Sequence, residues 1–424
     1  MKIKYAIVFI FIMALVIIEK ESNIISRVSE KMMLRQTPQQ TTQTSLDYSN
    51  TTQPSQTIST TQGSPSNRTE EQHEKELQNG RRKHILLMAT TRSGSSFVGQ
   101  FFNQHGENMF YLFEPLWHVE RMMMNKSAET NNSSLLPTIY RDVLKGLFLC
   151  DFSPLEKFIS PPPQNHVTSE LFRRHSSSSL CEEQVCTPVI KDVYERYGCK
   201  NRLCGPLNLT LASQLCLSKK HQAIKTVRVQ KWQTLQPLLE DPRLDMKIIQ
   251  LVRDPRAILA SRILAFPKYQ TWNDFVHDGH PPENYKEVLQ GNCDNIRWAA
   301  EVGLSQPDWL RRRYMLVRYE DIARFPMQKA EEMYRFTGIP FSPQVREWIL
   351  RNTHTTQGKD DLFSTQRNSS EQAEKWRYNL PFTLAQLVQR LCGPTMKLFG
   401  YKFVNNAKML VNKSISLCED RTFQ

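Results

Sequence analysis

Hydroxyl-bearing residues and an arginine form a short polar loop that could bind a phosphate or sulfate group. The loop follows an apolar run that begins at His84, and it leads at Phe97 into sequence compatible with a helix. The first N–H groups of a helix lack intrahelical partners and lie at the positive end of its dipole, so they bind anions. Gly94 permits close backbone approach, and the planar guanidinium of Arg92 suits phosphate oxygens. With Thr90 as an additional hydroxyl, the predicted anion-binding residues are Thr91, Arg92, Ser93, Gly94, Ser95 and Ser96.

The composition of this loop has two other interpretations. A nucleoside triphosphate loop requires the spacing Gly-x-x-x-x-Gly-Lys-Ser/Thr, with the hydroxyl on magnesium, and that spacing is absent from the loop. A helix cap without any ligand is the second interpretation, because Ser and Thr are favoured where helices begin. A second polar segment farther along the chain favours the anion site.

This second segment carries an arginine and a serine that could bind another phosphate. Arg253 ends a buried apolar run, Pro255 fits the first helical position, and Ser261 lies about two turns farther along. Because parallel sheets bind ligands beyond the carboxyl ends of their strands, both segments are expected at one edge, where a nucleotide phosphorylated at both ends would fit. Alternatively, Arg253 and Asp254 form a salt bridge that caps a core helix. The predicted residues of the second site are Arg253, Asp254, Pro255, Arg256, Ala257, Ile258, Leu259, Ala260 and Ser261.

Five short apolar runs predict the strands that position these loops. They are continuous rather than alternating, which is typical of a parallel sheet, and they span 84–89, 109–113, 223–229, 247–252 and 313–318. Helical patterns lie between or after them, at 94–104, 137–149, 256–266, 327–337 and 343–352. The sequence therefore predicts an α/β fold, with a P-loop-like parallel sheet flanked by helices. A Cys- and Pro-rich insertion is expected near 150–220.

Several segments together resemble the Golgi carbohydrate sulfotransferases. Residues 90–97 resemble the 5′-phosphosulfate loop of that family, and Arg253 followed by Ser261 resembles its 3′-phosphate motif. The resemblance covers nearly all of residues 82–404, and it extends through 110–118, 223–228, 314–321 and 374–377. It implies the sulfotransferase fold, 3′-phosphoadenylyl sulfate (PAPS) as sulfate donor, and no required metal.

The resemblance also bears on the acceptor. Within the family the chain looks most like enzymes that sulfate the 6-hydroxyl of N-acetylgalactosamine in chondroitin, and next most like those that sulfate galactose in keratan sulfate. An anionic glycosaminoglycan agrees with the formal net charge of +13. A non-catalytic lumenal binder of sulfated glycans would need the same charge but would not use two phosphate sites. A nucleotide kinase would need the lysine-containing loop and magnesium ligands.

Two residues beyond the second predicted strand are candidates for the catalytic base. Sulfuryl transfer builds negative charge on the leaving oxygen, and Arg92 and the loop N–H groups are placed to stabilise it. The attacking hydroxyl must also lose a proton, and Glu114 is the first candidate to accept it, with His118 the second. Glu114 could instead pair with a lysine or arginine that lines the site, and His118 could be a packed histidine without a catalytic role.

Other basic residues have less specific interpretations. Lys225 and Arg228 leave a predicted parallel strand at the same edge, where they could contact the acceptor's carboxylates or the leaving phosphate, or be solvated. The cluster at 311–313 is expected to face a polyanion or solvent rather than the reaction centre.

The amino-terminal residues predict a membrane anchor and a stem. An unbroken apolar run at 5–18 follows a lysine-bearing cytosolic tail at 1–4, which favours a signal anchor over a cleaved signal peptide because no small-x-small site precedes the next charges. Residues 19–82 are expected to form a largely disordered lumenal stem, since they contain too few large apolar side chains to form a core. The sulfotransferase domain is expected at 83–404 and a C-terminal tail at 405–424. A single-pass protein of the Golgi membrane with a lumenal domain has no nucleic acid as partner.

Cysteines and glycosylation sequons agree with a lumenal location. An oxidising lumen favours disulfides among the nine cysteines, and the odd number leaves at least one thiol unpaired or intermolecular. A zinc site is the alternative for the cysteines at 181, 186, 199, 204 and 216, but no histidine pattern completes it. Glycosylation is predicted at Asn50, Asn67, Asn125, Asn131, Asn132, Asn208, Asn368 and Asn412.

Overall fold

Five parallel strands form the sheet that carries the predicted loops. In the computed structural model, the described residues are 81–126, 135–159, 176–186, 207–266, 269, 272, 283–353 and 369–423. The strands are β1 Lys83–Met88, β2 Met109–Phe113, β3 His221–Thr226, β4 Asp245–Val252 and β5 Tyr314–Arg318. Their order is β2-β3-β1-β4-β5, and every neighbouring pair is parallel. The predicted α/β class and parallel sheet are confirmed.

The strand order brings the two predicted loops together. β1 lies at the centre, with Leu86 in register with Ile224 of β3 on one side and Ile248 of β4 on the other. The chain passes to one side of β1 for β2 and β3 and to the other side for β4 and β5. Because β1 and β4 are neighbours, the polar segments that follow them begin at the same sheet edge, which is where such sheets bind ligands.

Helices cover the sheet in the described part of the chain. The five helices predicted from sequence are confirmed to within two residues at each end. In chain order, α1 to α16 are Ser95–Asn103, Trp117–Lys126, Leu136–Phe148, Ser153–Glu156, Leu209–Ser218, Gln236–Leu239, Pro255–Ala265, Tyr285–Leu304, Tyr319–Arg324, Pro326–Thr337, Pro343–Thr353, Ser369–Glu374, Trp376–Asn379, Phe382–Leu391, Gly393–Leu398 and Ala407–Val411.

Two hydrophobic cores lie on opposite faces of the sheet. Successive strand side chains point to opposite faces, so Leu86 enters one core and Leu87 the other. The first core includes Leu144 of α3, and the second includes Phe101 of α1; both side chains are fully buried. Burial on both faces is the physical reason that the strand sequences are continuous apolar runs.

The residues expected as a C-terminal tail pack against the domain. Leu410 and Leu417 are buried in the first core. The guanidinium of Arg377 donates to the carbonyl oxygens of Leu410 at 2.7 Å and Asn412 at 2.6 Å. The packed part of the chain therefore continues beyond residue 404.

Disulfides join distant elements of the described chain. Cys150 pairs with Cys216, and Cys293 pairs with Cys392. The cysteines at 181 and 186 are also disulfide-bonded, whereas Cys418 is free and buried. The expectation of disulfides is confirmed at these positions. Among the described residues, no group of His, Cys, Asp and Glu could hold a metal ion.

Several sequence predictions fall outside the described residues. They include the cytosolic tail, the anchor, the stem up to residue 80, parts of the insertion, and five of the sequon asparagines at 50, 67, 131, 132 and 368. Within the described ranges, no helix is both long enough and apolar enough to cross a membrane. Asn125 falls in α2, and Asn208 and Asn412 are exposed.

Candidate functional site

The loop between β1 and α1 forms a tight polar turn. The N–H and the hydroxyl of Ser93 both donate to the carbonyl oxygen of Thr90, at 3.2 and 2.7 Å. Arg92 and Gly94 have left-handed backbone conformations, with φ of 72° and 89°. A Cβ atom on Gly94 would lie 2.2 Å from a ring carbon of Tyr319, a distance that real Cβ contacts do not show. Glycine is therefore required here by both the backbone conformation and the neighbouring ring.

The start of α7 is held by buried ionic contacts. Asp254 caps the helix by accepting from the N–H of Arg256 at 2.9 Å, and its carboxylate also pairs with the Arg256 guanidinium at 2.7 Å. Arg256 is fully buried and lies over the ring of Trp376 at 5.0 Å. The capping salt bridge considered for Arg253 and Asp254 thus joins Asp254 to Arg256 instead. The side chains at 255–260 are buried, whereas Arg253 and Ser261 are partly exposed.

The structure brings the two predicted loops into direct contact. Nε of Arg92 donates to the hydroxyl of Ser261 at 2.9 Å. Arg253 donates from Nη1 to the carbonyl oxygen of Arg92 at 3.1 Å, and Arg262 donates from Nε to that of Thr91 at 3.4 Å. Three guanidinium groups therefore converge beside the amino terminus of α1, so the edge between β1 and β4 is strongly electropositive.

Two buried polar atoms at this edge have unused hydrogen-bonding capacity. Oγ1 of Thr90 and Nε of Arg253 are inaccessible to solvent and have no hydrogen-bond partner among the described residues. Buried groups of this kind cost stability unless a partner satisfies them. Together with the amino terminus of α1, they are suited to the oxygens of a ligand that carries phosphate or sulfate groups.

Glu114 lies at the end of β2 in a buried ionic cluster. Its carboxylate pairs with Lys225, near the end of β3, and with Arg228. It also accepts from the N–H of Val227 at 3.3 Å. Burial raises the pKa of Glu114, but the charges of Lys225 and Arg228 outweigh this effect, so the pKa lies below its usual value. Glu114 is therefore ionised at neutral pH. Its pairing with a lysine and an arginine is the interpretation that the sequence left open beside a role as catalytic base.

The cations of this cluster are positioned by neighbouring elements. Nζ of Lys225 lies 4.4 Å from the centre of the Phe113 ring. The Lys225 stem also approaches α1, since its Cγ is 3.6 Å from where a Cβ on Gly99 would lie. Arg228 donates from Nε to Glu120 of α2 at 2.7 Å. Lys225 and Arg228 are thus structured parts of the site edge rather than solvated side chains, and Glu120 is a partner that sequence reasoning missed.

His118 is buried in the first turn of α2. Its ring lies edge-on to Trp117, with 5.1 Å between the ring centres. This position is close in sequence to Glu114, and the catalytic role of His118 stays a prediction.

Sequence reasoning also missed two residues that follow β5. Tyr319 lies between Gly94 and Arg253, whose guanidinium carbon is 4.5 Å from its ring centre. Glu320 accepts from the N–H of Asp254 at 3.0 Å. Their signal in the sequence is their position directly after a buried strand, the same position that Glu114 has after β2. The arginines at 311–313 precede β5 and so lie at the opposite edge.

Comparisons with known proteins identify the same span of the chain. The model of the sulfotransferase domain family matches residues 82–400. Carbohydrate sulfotransferase 3 of Mus musculus is 60% identical over 347 residues, which cover 81% of this chain and 73% of that protein. Carbohydrate sulfotransferase 3 of Homo sapiens is 50% identical over 463 residues, covering 99% and 95%. Carbohydrate sulfotransferase 1 of Homo sapiens is 45% identical over 352 residues, covering 81% and 85%. Residues 82–400, which the family model matches, contain both loops and Glu114.

Proposed function

The chain belongs to the sulfotransferase family and, within it, to the carbohydrate sulfotransferases, and on this premise we propose that it sulfates the 6-hydroxyl of N-acetylgalactosamine in chondroitin. It is a sulfotransferase that uses PAPS as sulfate donor. Galactose in keratan sulfate is the second candidate acceptor, because a carbohydrate sulfotransferase 1 is also a relative, at lower identity. The acceptor is inferred from these relationships rather than from the geometry of a sugar site.

The observation that carries the proposal is the contact between the two loops. The Arg92–Ser261 hydrogen bond of 2.9 Å joins the segment assigned to the 5′-phosphosulfate to the segment assigned to the 3′-phosphate. A donor with anionic groups at both ends needs both sets of groups within one crevice. We assign the 5′ end to the residues at 91–96 and the 3′-phosphate to Arg253 and Ser261. The residues at 254–260 contribute through the backbone and packing of α7, because their side chains are buried.

The residues of the site have separate roles in the proposed reaction. When bound, PAPS supplies a sulfuryl group on a phosphate leaving group. Arg92 and the N–H groups of α1 stabilise negative charge at the 5′ end. Glu114 accepts the proton of the acceptor hydroxyl at a carboxylate oxygen, and its lowered pKa keeps it ionised for this role. Lys225 and Arg228 hold that carboxylate in place, and His118 is the second candidate for the base.

We also propose the location that the amino-terminal sequence predicts. A signal anchor at 5–18 and a stem at 19–82 would hold the domain in the Golgi lumen, where glycosaminoglycan acceptors are presented. The disulfides at Cys150–Cys216 and Cys293–Cys392 support an oxidising compartment. Exposed Asn208 and Asn412 are accessible to glycosylation.

Transfer of labelled sulfate from PAPS tests the reaction and the acceptor together. The full-length protein is incubated with desulfated chondroitin or keratan, without added metal, and the products are analysed as disaccharides. We expect label at the 6-position of N-acetylgalactosamine. Label on galactose alone would replace the acceptor assignment, and glycan binding without transfer to either polymer would identify a binder instead of an enzyme.

Two substitutions test the assigned donor site. Arg92→Ala and Ser261→Ala should each abolish or strongly reduce transfer, because each removes a group from the contact between the loops. Arg311→Ala is the matched control, since Arg311 is exposed and pairs with Asp308 at the opposite edge of the sheet. Full activity in Arg92→Ala would refute the donor-site assignment.

A further inference from the structure

We propose that Tyr319 and Glu320 form a brace that sets the position of Arg253 relative to the 90–96 loop, and that the C-terminal segment holds this brace in place through Tyr401. The brace is defined as Tyr319 and Glu320, and Tyr401 is its support. The inference rests on the proposed function, because it takes Arg253 as a ligand of the donor's 3′-phosphate. It makes Tyr319, Glu320 and Tyr401 positioning residues that act through the two donor loops.

The Tyr319 ring acts as a spacer between the two loops. On one side it lies so close to Gly94 that a Cβ atom there would be 2.2 Å from the ring. On the other side the Arg253 guanidinium stacks 4.5 Å from the ring centre. Tyr319 is only 6% exposed, so its ring has little freedom to move. The distance between the two loops therefore depends on the thickness and position of one aromatic ring.

Glu320 holds the backbone next to Arg253. One carboxylate oxygen, Oε1, accepts from the N–H of Asp254 at 3.0 Å, and the other, Oε2, accepts from the hydroxyl of Tyr401 at 2.8 Å. Glu320 and Tyr401 are each 2% exposed. Burial, together with the charge of Asp254, raises the pKa of Glu320. Because the carboxyl group is removed from water, losing either hydrogen bond would leave a buried oxygen unsatisfied.

The C-terminal segment supports Tyr401 and also contacts the strand that precedes the brace. Tyr401 forms an antiparallel bridge with Cys418. Arg318, the last residue of β5, donates to the carbonyl oxygens of Phe399 at 3.0 Å and Glu419 at 2.9 Å. The residues on both sides of the bridge therefore bind the strand end from which Tyr319 and Glu320 emerge.

A second route from the C-terminal segment ends at the same aspartate. Gln389 accepts from the N–H of Val404 at 2.8 Å and from Arg256 at 2.9 Å. Arg256 in turn pairs with the carboxylate of Asp254 at 2.7 Å. The backbone N–H and the side chain of Asp254 are thus fixed by two separate chains of contacts, both of which begin in the segment after residue 400. This convergence explains why the C-terminal residues pack against the domain.

Paired nucleotide titrations of the full-length protein test the brace. The probes are adenosine 3′,5′-bisphosphate, which carries the 3′-phosphate, and adenosine 5′-phosphate, which lacks it. Tyr401→Phe removes only the hydroxyl that binds Glu320. We expect about a threefold to tenfold weaker affinity for the bisphosphate, the effect of one buried hydrogen bond, with unchanged affinity for the monophosphate.

Tyr334→Phe is the matched control. The Tyr334 hydroxyl is also buried, but it lies on α10, and its partners are the carbonyl oxygen of Phe101 at 2.8 Å and Nδ1 of His105 at 3.2 Å rather than the brace. It should lower the melting temperature without changing the ratio of the two nucleotide affinities. Equal losses for both nucleotides in Tyr401→Phe, or no change in either, would overturn the brace.

A second pair of variants keeps the test independent of folding defects. Tyr319→Phe retains the ring and should preserve the preference for the 3′-phosphate, whereas Tyr319→Leu removes the flat spacer and should reduce it at least tenfold. Equal preference in these two variants would contradict the spacer role. If the wild-type protein itself shows no preference for the bisphosphate, the proposed function fails and the brace fails with it; a wild-type preference that Tyr401→Phe leaves intact refutes the brace alone.

Discussion

The two edges of the sheet carry buried polar clusters that differ in charge. At the carboxyl edge, Glu114 is buried with Lys225 and Arg228, and all three are charged partners. At the amino edge, His84 and His221 are buried where β1 and β3 begin, and His105 is buried just beyond α1. Both clusters are removed from water. In the first, a titratable carboxylate is in contact with opposite charges, whereas at the amino edge the opposite charges in contact are Lys83 and Asp245, at 2.7 Å, rather than the histidines.

The histidines of the amino edge are neutral because burial outweighs the charge of the nearby Asp245. Burial is the main cause that lowers the pKa of His84, His105 and His221 to about 4 each. Nδ1 of His221 accepts from the N–H of Lys83 at 3.3 Å, which requires an unprotonated nitrogen. Burial without a dominant counter-charge therefore favours the neutral form of a titratable group, whereas the counter-charges beside Glu114 keep that carboxylate ionised despite its burial.

The largest expected effect is that of Glu114→Gln on turnover. Removing the proposed base should lower kcat by about 10²–10⁴-fold, the usual contribution of general base catalysis. His105→Phe, at the opposite edge, should leave kcat unchanged while it alters the melting temperature. Steady-state kinetics and thermal unfolding of both variants measure the difference. Nearly full turnover in Glu114→Gln would assign Glu114 only the pairing role.

Two glycines with the same backbone conformation give the next contrast. Gly94 and Gly106 both have φ near 90°, but a Cβ on Gly94 would overlap Tyr319, whereas a Cβ on Gly106 would be 3.9 Å from its nearest neighbour. Gly94→Ala should weaken donor affinity at least tenfold, because about 1–2 kcal/mol of backbone strain adds to the overlap. Gly106→Ala should cost a similar strain in stability but leave donor affinity unchanged. Equal donor affinities in the two variants would contradict the contrast.

The third expected effect concerns stability rather than activity, and it is a loss of stability on acidification. The folded-state pKa of each histidine, about 4, lies below the unfolded value of about 6.5, so the unfolded state binds more protons. The stability that they contribute is complete above about pH 6.5 and is lost as the pH falls towards 4. Between pH 7 and 5 we expect a loss of about 2 kcal/mol for each histidine in urea unfolding.

The same pH change should not protonate the Glu114 carboxylate at the carboxyl edge of the sheet. Because the pKa of Glu114 is lowered, the residue stays ionised at pH 5. The decrease of kcat/KM in acid that is attributable to Glu114 should therefore lie below the usual glutamate range.

His105→Phe tests the histidine contribution, and it should show a smaller dependence of stability on pH than the wild-type protein. An unchanged dependence would mean that His105 is not among the groups that titrate on unfolding.

The sequence alone determined the strands, their parallel arrangement and the two polar loops. Continuous apolar runs such as 84–89 identify strands buried on both faces, since each successive side chain enters a different core. The positions of Arg92 and Arg253 directly after such runs predict that they meet at one edge of the sheet, as they do. The fold inferences succeed because they depend on local patterns and on the rule that parallel strands end at one edge.

Only the tertiary structure decided how the charged side chains are paired and what supports them. The contact of Glu114 with Lys225 depends on β2 lying beside β3, and the Arg92–Ser261 bond depends on β1 lying beside β4. The hydrogen bond between Tyr401 and Glu320 likewise joins segments far apart in the chain. Strand order and such distant contacts leave no periodic signal in the sequence, because they arise from the combined packing of the whole domain rather than from any one segment.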